Sequence, residues 1–291
     1  MNSLTVQNHQ PFAIKSIPIL SLQEFEDSVR EAMLTHARMI GLFGLESSKS
    51  GTTVIAVLSN PSTSSLHLLG TKFSESNNRY KSFAEVHHQT HYFECELAEN
   101  HHIIPDGHPW LRPVRKQTVV LDNQPYSMYR MDGEEVHEVA VGPIHAGVIE
   151  PGHFRFQCHG ELVYHLEVNL GYQHRGIEKM MLKASRNQQS ILCESITGDT
   201  TIGHTMAYAL AVEALSHTTV SLRTQMLRSI VEELERIAMH LAGLGGVAND
   251  VGYAIGAASY GRLRTLVINS SALLCGSRFG RGFIVPGGLR F

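Results

Sequence analysis

The chain has 291 residues, 43% of them hydrophobic and 18% charged, with a formal net charge of -3 and a sequence pI near 6.6. That length supports two domains with separate cores, and the near-neutral balance excludes a basic surface for nucleic acid or anionic lipid. No apolar run approaches the roughly 20 residues of a spanning helix, and the opening MNSLTVQNHQPF lacks the basic-then-apolar order of an export signal.

Residues 21–38, SLQEFEDSVREAMLTHAR, open with Ser21 and Glu24 in capping-box spacing and place Phe25, Val29 and Met33 at i, i+4 and i+8, which predicts an amphipathic helix. Two β-rich runs follow, at 52–59 and 64–73, separated by the turn former Asn60-Pro61-Ser62. A small α+β domain is expected over 1–120. The stretch 109–135 is polar, holds three prolines and keeps no period, which places a linker at 121–135. Beyond it, VHEVAVGP, GHFRFQCHG and ELVYHLEVNLGY alternate in period two around His159-Gly160-Glu161, predicting strands with a hairpin. From about Gly176 the period changes to 3.6. In residues 221–244, Leu227, Ile230, Val231, Leu234, Ile237, Ala238 and Leu241 form one apolar stripe, so that helix is expected to pack in a bundle. The predicted class is α+β: a small α+β domain, then a second domain over 136–291 in which sheet leads into helices.

Cys95, Cys158, Cys193 and Cys275 lie at least 35 residues apart, so no CxxC and no dense disulfide framework is present, and a reducing cytoplasm suits them. The chain has 18 histidines. His87, His88 and His91 precede a predicted helix and His101 and His102 follow it, among polar neighbours typical of solvated turns. Abundance alone does not make a metal site, because ligands must converge.

The segment Phe93–Arg115, FECELAENHHIIPDGHPWLRPVR, resembles the signature of the complex I 30 kDa subunit: an acidic helix, a glycine turn, then His-Pro and Arg-Pro. Glu94, Glu96, Glu99, Gly107, His108, Pro109, Arg112 and Pro113 match, while Cys95 stands where the family usually has arginine. Three acids on a helix followed by Arg112 and Arg115 can form an ion-pair network. A second resemblance begins at Gly142, with GPIHAGVIEPGHFRF, then Gly160-Glu161, then LGYQHRGIEKM from Leu170 to Met180. It is similar to the opening of group 4 nickel-iron hydrogenase large subunits and of their relative, the 49 kDa quinone-site subunit of complex I. Further blocks agree: GHTMAYALAVE from Gly203, EELERIAMHL from Glu232, GVANDVG from Gly246 and FGRGFIVPGG from Phe279.

What the resemblance implies is a 30 kDa-like domain fused to the N-terminal part of a 49 kDa-like one. His145 falls at the histidine that lines the quinone pocket of complex I, where an imidazole donates to a quinone carbonyl. Arg175 and Glu178 fall near the face between active site and iron-sulfur partner, His204 at the histidine after the first cysteine pair. His145, His174, Arg175, Asp199 and His204 are the candidate catalytic residues, with Glu150 and Glu161 as candidate relay or structural carboxylates. Read without the family, His145 caps local backbone and His174 to Lys179 opens an ordinary charged helix.

The pattern breaks at the metal. Nickel-iron centres need four thiolates, and CESITGDTTIGHT puts Thr197 and Thr200 at the first two cysteine positions. Cys193 lies four residues upstream, where a lone cysteine acts as a small hydrophobe. The quinone-binding tyrosine of complex I is replaced by Gly198, leaving Tyr208 or Tyr172 as substitutes. The chain also stops at Phe291 where the family continues, which leaves a fragment, a truncated product or a separate continuing chain as open readings.

The resemblance therefore implies a cytoplasmic peripheral-arm subunit of a complex I-like or hydrogenase-related oxidoreductase, attached to the plasma membrane through its complex. Expected partners are a small iron-sulfur subunit and antiporter-like membrane subunits. Quinone is the ligand the resemblance allows; nickel-iron is not expected, nor is direct NAD binding, since no GxGxxG follows a strand. The alternative is a non-catalytic scaffold, or a truncated remnant of a formate hydrogenlyase or hydrogenase-4 type large subunit.

Overall fold

The capping box read at Ser21 is present in the computed structural model, which describes residues 2–47, 51–115, 120–121, 124–145 and 151–290. Ser21 Oγ accepts the Glu24 N–H, the Glu24 carboxylate accepts the Ser21 N–H, and helix α1 spans Leu22–Leu34. The helix stops four residues short of the expected Arg38: Thr35 caps it and His36 takes a left-handed φ of 69°. Arg38 instead begins a strand, β3 (Arg38–Ser47), after the short β1 (Leu4–Gln7) and β2 (Ile19–Leu20). Strands β4 (Gly51–Asn60) and β5 (Ser65–Phe73) fall where the two β-rich runs predict them. Together they make a sheet of order β1-β5-β4-β3, antiparallel along that path, with β2 parallel on β5.

The chain divides into two units, Met1–Ala140 with Arg155–Gly171, and Val141–Phe154 with Tyr172–Phe291. In the first, α1 lays Phe25, Val29 and Met33 on Leu42, Val54, Ala56, Leu58 and Leu69 of the sheet. Each such side chain fully buried contributes about 1.5–3 kcal/mol. Helix α2 (His91–His101) lies between the short strands β6 (Arg79–Lys81) and β7 (Ile104–Asp106), which pair with each other in parallel. Backbone bonds largely take the place of the ion-pair network expected of the α2 acids. Glu94, fully buried, accepts from Ser82 Oγ and from the Phe83 and Ala84 amides, and Glu99 accepts from the Val114 and Arg115 amides. Glu96 does make an ion pair with Arg115, at 2.6 Å. Buried carboxylates here satisfy loop amides, because an orphaned N–H inside the protein costs more than a lost surface ion pair.

A small ribbon of β8 (Val120–Leu121) and β9 (Gln124–Pro125) leads to the three-stranded sheet of β10 (Val136–Val141), β11 (His153–His159) and β12 (Leu162–Asn169). Gly160 and Glu161 connect the last two, with Gly160 at φ 58°, as the hairpin reading requires.

The second unit is helical: α3 (Ile177–Lys183), α4 (Arg186–Cys193), α5 (Thr201–Ser216), α6 (Leu222–Asp250) and α7 (Ala254–Cys275), closed by the ribbon of β13 (Ile284–Val285) and β14 (Gly288–Leu289). Its core gathers Ile202, Met206 and Ala209 of α5, Val231 of α6, and Phe283 and Ile284. The stripe expected on α6 splits: Val231 and Ala238 are buried, whereas Ile230 and Ile237 are 47% and 44% exposed. The described residues thus form a mixed fold of helices and sheets, consistent with α+β. Among them, no helix is long and apolar enough to cross a membrane.

Candidate functional site

Helix α5 begins without a cap of its own. Its N-cap Thr200 makes no side-chain hydrogen bond, and the exposed N–H groups of the first turn need an acceptor. Glu235, reaching across from α6, supplies it, accepting from Ile202 N at 2.8 Å and Gly203 N at 3.0 Å. Burial pushes the Glu235 carboxyl above the ordinary range, and these backbone bonds offset only part of that rise. Glu235 shares the α6 face of Val231 and Ala238, and a glutamate at i+4 on an apolar stripe was the available signal for it.

Just before α5, Thr200 N donates to Thr197 O at 3.2 Å, closing a turn over Gly198 and Asp199. Arg175 Nη1 reaches this loop, donating to Ile196 O at 3.2 Å and to Gln173 O at 3.3 Å. From the other side, the buried Glu194 accepts from Gly282 N at 2.6 Å. In the adjoining turn Gly280 has φ 68°, and a Cβ there would lie 2.2 Å from Ile202 Cδ1, so only glycine fits. Four separated sequence blocks, around Arg175, Thr197, Glu235 and Gly280, therefore meet at one loop and one helix start.

Asp199, Ile202, Glu235, Arg278 and Phe279 line a cavity there, with about 10 Å³ of room for a water centre. That is about one water molecule. A quinone headgroup does not fit in it.

All five candidate catalytic residues lie in the second unit, but none of the hydrogen bonds or ion pairs among the described residues joins two of them. His145 Nε2 donates to Gly152 O at 2.7 Å and its ring sits edge-on to Phe154 at 5.5 Å. Gly142, at φ 86°, allows this approach, since a Cβ there would lie 2.5 Å from His145 Nε2. His174, Arg175 and Asp199 are exposed, and His204 is half-buried in the first turn of α5. Glu161 is exposed on the β11–β12 turn of the first unit; Glu150 lies outside the described residues. Tyr208 donates to Gln189 Oε1 at 2.8 Å, and Tyr172 is 42% exposed.

The four cysteines are free thiols. Cys95 and Cys158 belong to the first unit, Cys193 and Cys275 to the second. Burial raises the Cys193 thiol, with Glu194 adding to the rise. With hydroxyls at Thr197 and Thr200, the residues at this loop do not fit a four-thiolate nickel-iron centre.

No family model matches the chain. It is 31% identical over 198 residues to hydrogenase-4 component G of Escherichia coli (strain K12), covering 65% of this chain and 36% of that protein. It is 33% identical over 153 residues to the alpha subunit of the membrane-bound hydrogenase of Pyrococcus furiosus, covering 53% and 36%. Against the D-type subunit of NADH-quinone oxidoreductase from Dehalococcoides mccartyi it is 40% identical over 114 residues, covering 38% and 30%. The matches span about a third of the length of these curated relatives.

Proposed function

We propose, from the premise that this chain is a homologue of group 4 hydrogenase large subunits and of the D-type (49 kDa) subunit of complex I over about half its length, that it is a peripheral component of a membrane-bound oxidoreductase complex that works without a nickel-iron centre. The observation that carries this is the convergence of the Arg175, Thr197, Glu235 and Gly280 blocks on one loop, with threonines where the centre's thiolates would stand. The fold around that loop is held by bonds between backbone groups and the side chains of Arg175, Glu235 and Glu194.

His145, His174, Arg175, Asp199 and His204 then supply the polar face. Neutral His145 spends its Nε2–H on Gly152 O, leaving Nδ1 a bare acceptor. Only the imidazolium keeps that bond and also offers Nδ1–H to a substrate carbonyl. Arg175 holds the Ile196 carbonyl and so positions the loop of Thr197 and Asp199. The small iron-sulfur subunit and the membrane subunits are the partners this reading requires, with the plasma membrane as the place of attachment; NAD dependence belongs to the assembled complex.

A second reading, a non-catalytic scaffold, is favoured by the one-water cavity beside Asp199. One preparation separates the two: the tagged chain recovered with its native membrane complex. The expected result is copurifying iron-sulfur and membrane subunits, nickel far below one per chain, and quinone-dependent turnover that falls roughly 10- to 100-fold in His145→Ala, the loss of one charge-assisted hydrogen bond. Stoichiometric nickel sinks the metal-free reading. Turnover unchanged in His145→Ala removes the headgroup role and leaves the scaffold.

A further inference from the structure

The first unit holds a group of metal-ligating side chains that the proposed function does not use. His91 and Cys95 stand one turn apart on α2, so both project from the same helix face. His108 comes back to that face from the loop after β7. One ligand atom from each lies within 4.8 Å of the other two, and His108 Nε2 is 3.9 Å from Cys95 Sγ. The thiol is fully buried and the His108 side chain is 1% exposed, while His91 is half-buried and forms the mouth. Cys95 is also the residue at which this segment departs from the arginine of the family it resembles.

We propose that His91, Cys95 and His108 bind one borderline-soft divalent cation of the zinc class. Two imidazoles and a thiolate are the donors such an ion prefers, and a water completes its four positions. Oxygen-seeking magnesium or calcium has no claim on this set.

Binding rearranges one hydrogen bond. Trp110 N donates to His108 Nδ1 at 3.1 Å, so a neutral His108 carries its proton on Nε2, which faces His91 O at 3.4 Å. Capture of the cation by Nε2 moves that proton to Nδ1, and the Trp110 amide must turn away. Pro109 and Trp110 are exposed, so the turn has room to move. The thiol proton leaves as the Cys95–metal bond forms, one proton released for each ion taken up. The rings of His91 and His108 stack at 4.9 Å and 28°, and they must open further for both nitrogens to face one ion. The loaded site would clamp the start of α2 to the loop that leads to Arg112.

Trp110, the chain's one tryptophan, has its ring 6.2 Å from that of His91 and reports on the site directly. The test is titration of the metal-stripped full chain with cobalt(II), followed by competition with zinc. The expected result is a thiolate-to-cobalt charge-transfer band that saturates at one ion per chain, changes Trp110 fluorescence in step and disappears on adding zinc. Cys95→Ala should weaken binding by more than the roughly 100-fold that loss of a supporting group costs. Cys193→Ala and the double change of His87 and His88 to glutamine should leave it unaltered. Absence of the band from the wild-type chain overturns the proposal whatever the variants do, and so does a band that survives Cys95→Ala. Nickel held by this trio is likewise lost in Cys95→Ala, whereas nickel at the Thr197 loop is not, which keeps this result separate from that of the proposed function.

Discussion

Glu235 contributes a pH dependence to the stability of the second unit. Its folded pKa is raised, chiefly by burial, with the Glu232 carboxylate adding to the rise. A group raised in the fold contributes stability that is complete below its unfolded value, near 4.5, and is lost as pH rises through the folded value. Glu235→Gln keeps one acceptor for the α5 amides but turns an NH₂ toward the other, at a cost of about 1 kcal/mol. The advantage of the wild type over this variant should therefore be largest in acid and shrink as pH climbs from about 4.5 toward neutrality. Thermal unfolding of both across that window checks it. An advantage that grows with pH would mean that the helix start and its two amides outweigh burial.

At the scale of elements, one buried ion pair ties α5, α6 and the β13–β14 ribbon together. Arg228 of α6, 2% exposed, donates to both Glu213 oxygens at 3.0 and 2.7 Å and to the Val285 and Gly288 carbonyls at 2.9 Å. Gly287 N donates to the same Glu213 carboxylate. Arg228→Ala strands a buried carboxylate and two carbonyls, so it should cost about 3–5 kcal/mol. Arg228→Lys keeps the charge but cannot span four acceptors, and its midpoint in urea should fall between the two. Equal midpoints for wild type and alanine would show the pair contributes nothing. Nothing near Arg228 in sequence announced this, since its partners lie 15 residues before it and 57 and 60 after. Local signals were read more reliably: the Ser21 box, the strands β4 and β5, and the Gly160 hairpin depend on neighbours a few residues away. Where the α1 pattern ran on into Arg38, local periodicity had no information about a sheet edge waiting to be paired.

The same limit applies to the whole molecule and its candidate site. The blocks around Arg175, Thr197 and Gly280 were visible in the sequence as text, and spacing marked Glu235 on the α6 stripe, but which amides it caps and how small the cavity is depend on packing that no spacing encodes. Packing also leaves α6 and its C-cap Val251 with a wide uncovered face: Leu222, Met226, Ile230, Ile237, Leu244 and Val251 are 71, 58, 47, 44, 51 and 73% exposed. Their separations of four, four, seven, seven and seven residues keep them on one side of the helix. The exposed Glu233 and His240 stand among these six apolar side chains, and covering the apolar area yields about 25 cal/mol per Å². The purified chain alone should therefore bind a hydrophobic dye and self-associate in sedimentation. Ile230→Lys with Ile237→Glu should suppress both by roughly 10-fold, while stability moves by no more than about 0.5 kcal/mol, because neither side chain is in the core. The same double change should release the chain from its membrane complex if this face is where the other subunits sit. Dye binding and sedimentation indifferent to the two charges would mark the stripe as solvated surface and remove it as a docking face.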